Sequence, residues 1–271
     1  MPGTSDTFYA FSGTSISNAN VAFTGYGAGG QHGVYTVFGD ALSVLVDLNT
    51  SIPGGAGDFT GFVWPAISNQ DVAFVGLGTG GQSGVYASVG GVLGVVADEN
   101  TPIPGGSGNF VTLGFSQPAM SDAGVAFYGS GSGQYGIYSS VGGLHPVADT
   151  DTQVPGEDGT FFDFAFTTSM FDEDVAFMAW TEPFDATKDI YVSLDGELIR
   201  VIGEGDILDG LTVANVLIAR EALDGDQLAF NVRFSDDSHA IYLATIPEPA
   251  SLALLGLAAL ALRRTKGRYM R

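Results

Sequence analysis

The residues best suited to chemistry are short acidic turns that recur along the chain. In each turn an Asp is followed two residues later by Asn or Asp, and the pairs are Asp47 and Asn49, Asp98 and Asn100, and Asp149 and Asp151. Oxygen ligands at this spacing can bind Ca²⁺ together with backbone carbonyls. The same side chains can instead accept hydrogen bonds from the backbone two residues on. The sequence favours these turn-forming bonds, because a repeat carries its turn chemistry in every copy, and leaves Ca²⁺ as an alternative.

Other common site types find little support. The chain has no Cys, which excludes disulfides, thiol catalysis and Cys-ligated zinc. His32, His145 and His239 have no partner at a metal-ligand spacing, so we expect them at the surface or in turns. The glycine-rich stretches join two strands and lack the Lys-Ser/Thr ending of a phosphate loop. We therefore expect no resident cofactor.

A catalytic site would have to come from residues that do not repeat. The most irregular unit is the fourth, whose enlarged hairpin contains Glu173, Glu182, Asp185 and Lys188. No pair of carboxylates stands out for glycoside hydrolysis, because acidic residues are numerous and evenly spread over the turns. A secreted enzyme acting on polysaccharide is therefore the alternative to a non-catalytic protein.

Aromatic residues offer a further kind of site. Trp64, Trp180, Tyr26 and Tyr128 could form a face on which sugar rings stack, since aromatic rings are apolar platforms with polar tips. Aromatic residues on strands more often pack in the core. The sequence favours packing for Trp64, which occupies a strand position that is hydrophobic in the other repeats.

Three markers repeat in register and reveal the elements that position these residues. Val-Ala-Phe or Leu-Ala-Phe begins at residues 21, 72, 125, 175 and 228, in steps of 51, 53, 50 and 53 residues. Each copy is followed by Val-Tyr or Ile-Tyr, and Ile-Pro-Gly-Gly or Val-Pro-Gly-Glu begins at 52, 103 and 154. In the second unit, strands are predicted near 59–67, 72–75, 85–89 and 92–97. Four short strands in about 50 residues are the unit of a β-propeller blade.

The predicted fold is an all-β, five-bladed β-propeller-like array of residues 1–245. Its units are 1–57, 58–108, 109–159, 160–210 and 211–245. The fifth unit is expected to lack its fourth strand. We expect the natural chain to begin upstream of Met1, with a signal peptide and a strand that completes the fifth blade, because residues 1–13 have neither a basic nor an apolar region.

The charge distribution excludes one class of partner. Residues 1–246 contain 4 basic and 29 acidic residues, a net charge of −25. Such a body repels phosphate backbones and offers no basic stripe, which argues against nucleic-acid binding.

The last 26 residues, 246–271, form a separate tail. Pro247, Glu248 and Pro249 precede an apolar run, which is followed by a basic end; the run and the first basic residues include Leu252, Leu254, Leu255, Leu257, Leu260, Leu262, Arg263 and Arg264. A helix over 250–262 would be roughly 20 Å long, shorter than the ~30 Å hydrocarbon core. We therefore expect a short apolar helix that is a marginal membrane anchor, with its basic end on the cytoplasmic side.

This tail resembles the PEP-CTERM sorting signal of Gram-negative bacteria that produce exopolysaccharide. The resemblance implies recognition by exosortase, a membrane-embedded protease-transpeptidase, with cleavage near Pro247–Pro249 and transfer to a surface anchor. It also implies the inner membrane as a transient partner. We therefore expect an exported cell-surface or extracellular-matrix protein whose non-catalytic propeller binds or organises polymer, with extracellular polysaccharide as its candidate partner. A Ca²⁺-dependent structural repeat is a further alternative.

Overall fold

The computed structural model describes residue 2, residues 7–183 and 188–247, and the backbone of 261–265. Five antiparallel sheets follow one another along the chain, which confirms the predicted all-β, propeller-like class. The strands predicted in the second unit are confirmed. The boundaries between the sequence units stay predictions. No helix in the described part of the chain is long and apolar enough to cross a membrane.

Blades 1 and 2 are regular four-stranded sheets in chain order, each with one 3-10 turn between its second and third strands. Blade 1 consists of β1 (Phe8–Ser17), β2 (Asn20–Gly27), β3 (Gln31–Phe38) and β4 (Ala41–Asp47). Blade 2 consists of β5 (Phe59–Ser68), β6 (Asp71–Gly78), β7 (Ser83–Val89) and β8 (Val92–Asp98). The 3-10 turns are Ala28–Gly30 and Thr79–Gly81.

Blades 3 and 4 keep the same order, and the first strand of blade 3 is only two residues long. Blade 3 consists of β9 (Ala119–Met120), β10 (Val125–Gly131), β11 (Gln134–Ser139) and β12 (His145–Asp149). Blade 4 consists of β13 (Asp163–Phe171), β14 (Asp174–Trp180), β15 (Asp189–Leu194) and β16 (Glu197–Gly203).

Blade 5 differs from the prediction in its last strand. It contains β17 (Ile207–Leu208), β18 (Leu211–Leu217), β19 (Leu223–Asp224), β20 (Gln227–Phe234), β21 (His239–Thr245) and β22 (Ala261–Thr265). β18 and β19 together form the inner strand beside β20, and β17 makes a short hairpin with β18. The expectation of a three-stranded fifth blade is wrong, because β22 from the tail pairs with the open edge of β21.

The predicted tail helix over 250–262 is corrected at its end. Ala261 and Leu262 belong to β22, since pairing with β21 satisfies backbone groups that an open edge would leave without partners. The rest of the predicted helix lies outside the described residues.

The repeated markers form the core of each blade. The Tyr of the Val-Tyr or Ile-Tyr pair is buried in all five blades, as Tyr35, Tyr86, Tyr138, Tyr191 and Tyr242. In blade 2 the Tyr86 ring lies parallel to Phe74 of Val-Ala-Phe and meets the edge of Phe59, with centroids 6.0 and 5.0 Å apart. Gly76 lies beneath these rings, where a Cβ would come within 2.4 Å of Phe59. The repeat therefore encodes an aromatic layer on one face of each blade.

Four hydrophobic clusters join successive blades. In the first, small side chains of blade 1, such as Ala22 and Val34, pack on the aromatic layer of blade 2. The other clusters lie between blades 2 and 3, 3 and 4, and 4 and 5. None of the four clusters in the described chain joins blade 5 to blade 1.

We call the opening between blades 5 and 1 the seam. Phe8 and Phe11 lie on its blade 1 side, and Ala229 and Ile241 lie on its blade 5 side. Phe11 is 59% exposed and Ile241 is 41% exposed. β20 alternates buried and exposed or half-buried residues, the pattern of an antiparallel sheet with one face in water. The five blades therefore form a ring that is not packed shut at its periphery.

Candidate functional site: the two mouths of the central channel

The first strands of the blades run side by side in the same direction and surround a central channel. Ser15 Oγ accepts a hydrogen bond from the Ile67 amide, and Ser17 Oγ accepts one from the Asn69 amide, at 3.2 and 3.0 Å. Gln117 and Thr167 form a parallel bridge between blades 3 and 4. Because the strands are parallel, equivalent repeat positions meet at the same level of the channel. The channel therefore has two mouths of different chemistry.

The polar mouth is at the carboxyl ends of the inner strands. It is a depression of about 600 Å³ lined by all five blades, by residues 16–18, 67–69, 120–122, 170–172, 221, 223 and 224. The Asn18 amide donates to Asn69 Oδ1 at 2.6 Å, and the Asn69 amide donates to both carboxylate oxygens of Asp122 at 2.7 Å. Ser121 Oγ donates to the Asp172 carbonyl. Short polar side chains thus link neighbouring blades around this mouth.

The tight turns at the polar mouth explain the residue types found there. Asn18, Asn69 and Asp172 have φ angles of 47°, 52° and 48°. Asn and Asp adopt this left-handed region more readily than other non-glycine residues. The turns between the first and second strands therefore place amide and carboxylate groups around the channel axis.

Arg220 and Glu221 connect blade 5 to blade 1 at the channel. The Arg220 guanidinium donates to the carbonyls of Pro65 and Thr14, at 2.7 and 3.1 Å. Glu221 Oε1 accepts a hydrogen bond from Ser15 Oγ at 2.7 Å. Burial lowers the pKa of Arg220, and the nearby Glu221 charge partly opposes this shift. These contacts join the two ends of the array at its axis, whereas none of the hydrophobic clusters of the described residues crosses the seam.

The aromatic mouth is toward the opposite end of the inner strands. We define it by five aromatic residues on these strands or on the segment leading into β9, with exposed fractions from 38% to 71%: Tyr9, Phe11, Trp64, Phe115 and Phe166. Phe115 and Phe166 stack with centroids 5.8 Å apart. Exposed apolar side chains grouped in this way make the aromatic mouth a candidate interaction surface.

The repeat provides an internal comparison for this exposure. Phe62 and Phe164 take the position of Phe11 in blades 2 and 4, where each is at most 1% exposed, because the preceding blade covers them. Trp64 is 38% exposed and has a φ of 54°, the same as Gly13 one repeat earlier. A bulky residue in this conformation is strained by about 1–2 kcal/mol. Backbone strain that persists at an exposed aromatic side chain favours a functional role.

The acidic turns form the hydrogen bonds that the sequence favoured. Asp47, Asp98 and Asp149 each accept, through Oδ1, from the amide two residues on and from the Thr hydroxyl three residues on, at 2.7–3.1 Å. The second partners of the pairs, Asn49, Asn100 and Asp151, supply these amides. No group of three or more His, Cys, Asp or Glu among the described residues could hold a metal ion. The Ca²⁺ alternative at these turns stays a prediction.

The described candidate catalytic residues of the fourth unit do not lie together in one site. Glu173 lies in the turn between β13 and β14, while Glu182 follows β14 and Lys188 precedes β15, at the opposite end of the blade. Asp185 lies outside the described residues. Lys188 is 5.9 Å from the centre of the Trp180 ring, and burial lowers the pKa of its amine.

The four aromatic candidates have different surroundings. Tyr128 is buried, with burial raising its pKa to about 12, and this agrees with packing. Tyr26 is half-buried and stacks on His32 with centroids 4.4 Å apart. Trp180 is also half-buried, whereas the packing interpretation is wrong for Trp64, which lies at the aromatic mouth.

The sorting residues lie only partly in the described chain. Pro247 follows β21, whereas Glu248, Pro249 and the leucines from Leu252 to Leu260 lie outside it. Leu262, Arg263 and Arg264 are in β22.

Sequence reasoning missed Arg220, Glu221 and the polar mouth. The Ser-Asn and Ser-Asp pairs at 17–18, 68–69 and 121–122 recur at the repeat spacing and could have indicated the mouth.

Comparisons with known proteins agree with the fold and the tail. The model of the PEP-CTERM protein-sorting motif matches residues 245–266. The β-propeller domain of the trilobed protease from Pyrococcus furiosus, which has an open velcro topology, is 9% identical with a TM-score of 0.51, over 89% of this chain and 70% of that one. A puromycin-hydrolysing peptidase of Mycobacterium tuberculosis is 12% identical with a TM-score of 0.50, over 95% of this chain and 39% of that one. These likenesses concern the fold alone.

The fold and the tail define an exported β-propeller protein that exosortase processes and that is destined for the cell surface or the extracellular space. The model of a Family of unknown function (DUF7453) matches residues 1–136, half of the sequence, and the chain belongs to that family. No curated protein matches it.

Proposed function

We propose that the protein is a non-catalytic surface protein whose propeller binds an extracellular polysaccharide at the aromatic mouth. The observation that carries this proposal is the exposure of five aromatic side chains on the inner strands or the segment leading into β9. Trp64, Phe115 and Phe166 take the same repeat position in blades 2, 3 and 4, and each is exposed. Aromatic rings bind the apolar faces of sugar rings, and their few rotatable bonds keep the entropic cost of binding low.

The charge of the body narrows the class of polysaccharide. With 29 acidic and 4 basic residues in 1–246, the propeller repels uronic-acid and other anionic polymers. Within the aromatic mouth, the named side chains carry no charge. A neutral glycan therefore fits this surface best.

A binding role agrees with the state of the polar mouth. Both oxygens of Asp122 accept hydrogen bonds from Asn69, and Glu221 accepts one from Ser15. These carboxylates hold the blades together. These hydrogen bonds support a structural role for the acidic groups nearest the channel and not a role in acid-base catalysis.

The two tryptophans allow a direct binding experiment. In a Trp180→Phe variant, Trp64 is the single tryptophan, so its fluorescence reports on the aromatic mouth. We expect a saturable change with soluble neutral glucans and a smaller response with polyuronate. Replacing Phe115 and Phe166 together with Ala should weaken binding on the order of tenfold or more, since each ring contributes about 1 kcal/mol.

A matched control separates the mouth from general surface effects. Val92 is 73% exposed on β8, the outer strand of blade 2, so Val92→Ala should leave glucan binding unchanged. Equal binding by the Phe115→Ala/Phe166→Ala variant and the control would contradict the proposal. Shortening of the glucan during incubation, measured by size-exclusion chromatography, would favour the enzyme alternative.

A further inference from the structure

β21 is the last strand of the repeat array in blade 5, and a strand in this place needs a further strand to pair with the N–H and C=O groups of its outer edge. β22 occupies this edge, with Thr265 opposite Ile241 and Ala261 opposite Thr245. All five residues of β22 fall within the sorting motif at 245–266. The sorting signal and the fifth blade therefore share the same segment.

The pairing of β22 follows the pattern of the repeat. In each of the other blades the fourth strand pairs antiparallel with the third. In blade 4 the buried Tyr191 lies opposite Arg200, and in blade 5 the equivalent Tyr242 lies opposite Arg264. The tail thus takes the place that every other blade gives to its own fourth strand.

Charge also favours this contact. The last nine residues contain five Lys or Arg, whereas the body carries a net charge of −25. The turn between β20 and β21, at the Thr265 end of β22, contains exposed Asp236 and Asp237. The basic tail therefore has two competing anionic partners, the propeller and the membrane surface.

We propose that the edge of β21 is a docking surface for the chain's own sorting tail, and that docking there competes with insertion of the tail into the membrane. Backbone groups in a bilayer must satisfy one another within the inserted segment, so residues paired with β21 are withheld from it. Release of β22 precedes capture by exosortase, and cleavage near the Pro-Glu-Pro motif leaves the β21 edge open.

Docking can be tested by crosslinking, because the chain has no Cys. In the full chain, Leu243→Cys with Arg263→Cys puts the two substitutions at directly opposite register positions. Cys residues at such positions of an antiparallel pair can form a disulfide. Leu243→Cys with Leu262→Cys is the control, because adjacent residues of a strand point to opposite faces. We expect mild oxidation to close the first pair and leave the control reduced, as measured by intact mass. Equal crosslinking of the two variants would overturn the docking.

Competition is tested on vesicles of phosphatidylethanolamine and phosphatidylglycerol. The oxidised Leu243→Cys/Arg263→Cys chain should bind them on the order of tenfold more weakly than the same chain after reduction, since the tail is then locked away from the bilayer. Thermal melting followed by circular dichroism, compared with the unmodified chain, shows that the variant keeps its fold. A crosslinked chain that binds vesicles as well as the reduced one would refute the competition.

Discussion

Phe11 and Phe62 occupy the same repeat position but different surroundings, so their truncation measures whether the seam is open. Phe62 is 0% exposed and packed between blades 1 and 2. Phe62→Ala should therefore lower the free energy of unfolding by about 3–5 kcal/mol, the usual loss for a buried aromatic residue. Phe11 is 59% exposed, so only about two fifths of a burial free energy of about 1.5–3 kcal/mol is at stake, and Phe11→Ala should cost about 1 kcal/mol.

Urea unfolding followed by far-ultraviolet circular dichroism measures both losses in one assay. The structure predicts a difference of about 2–4 kcal/mol between the two variants. Equal losses of the size expected for Phe62 would mean that blade 5 covers Phe11 in solution. The open seam would then be wrong, and Phe11 would be removed from the aromatic mouth.

Three further predictions concern the closure of the ring, pH and metal. Arg220→Ala should destabilise the fold by about 1–3 kcal/mol, because it removes two hydrogen bonds from a charged donor. The control Arg233→Ala removes an exposed ion pair and should cost at most about 0.5 kcal/mol. Similar melting temperatures of the two variants would contradict the role of Arg220 in closing the ring. Burial lowers the pKa of His32 in the folded chain, so the unfolded chain binds this proton at a higher pH than the folded chain does. The free energy of unfolding should therefore fall as the pH drops below about 6.5. If the His32→Gln variant keeps the same pH profile, His32 is not the cause. Removing Ca²⁺ with a chelator should leave the melting temperature of the protein unchanged. A fall of several degrees would show that the acidic turns bind Ca²⁺.

The blades were predictable from the sequence because each repeat contains the same pattern of packing residues. Val-Ala-Phe and the Val-Tyr or Ile-Tyr pair alternate between the two faces of adjacent strands, and this alternation places Phe74 and Tyr86 in one aromatic layer. The tail was predictable because its three parts occur in a fixed order over a short stretch. Both inferences depend on local sequence alone.

The channel mouths were less predictable because they depend on contacts between distant repeats. Arg220 donates to Thr14 and Pro65, which precede it by more than 150 residues, and its position carries no repeated marker. Exposure of Phe11 follows from the lack of a covering blade, which cannot be read from a Phe that other repeats bury. The pairing of β22 with β21 could not be anticipated either, since an apolar and basic segment near a Pro-Glu-Pro motif indicates a membrane helix.

The most direct test of polysaccharide binding at the aromatic mouth uses the processed protein and the polymer of its own cell surface. The measurement is the fraction of tail-cleaved protein retained on neutral polysaccharide extracted from the producing cells, for the natural sequence and for Phe115→Ala/Phe166→Ala. We expect retention of the natural sequence and a loss on the order of tenfold for the variant. Equal retention of the two proteins, or retention of neither, would contradict binding of polysaccharide at the aromatic mouth.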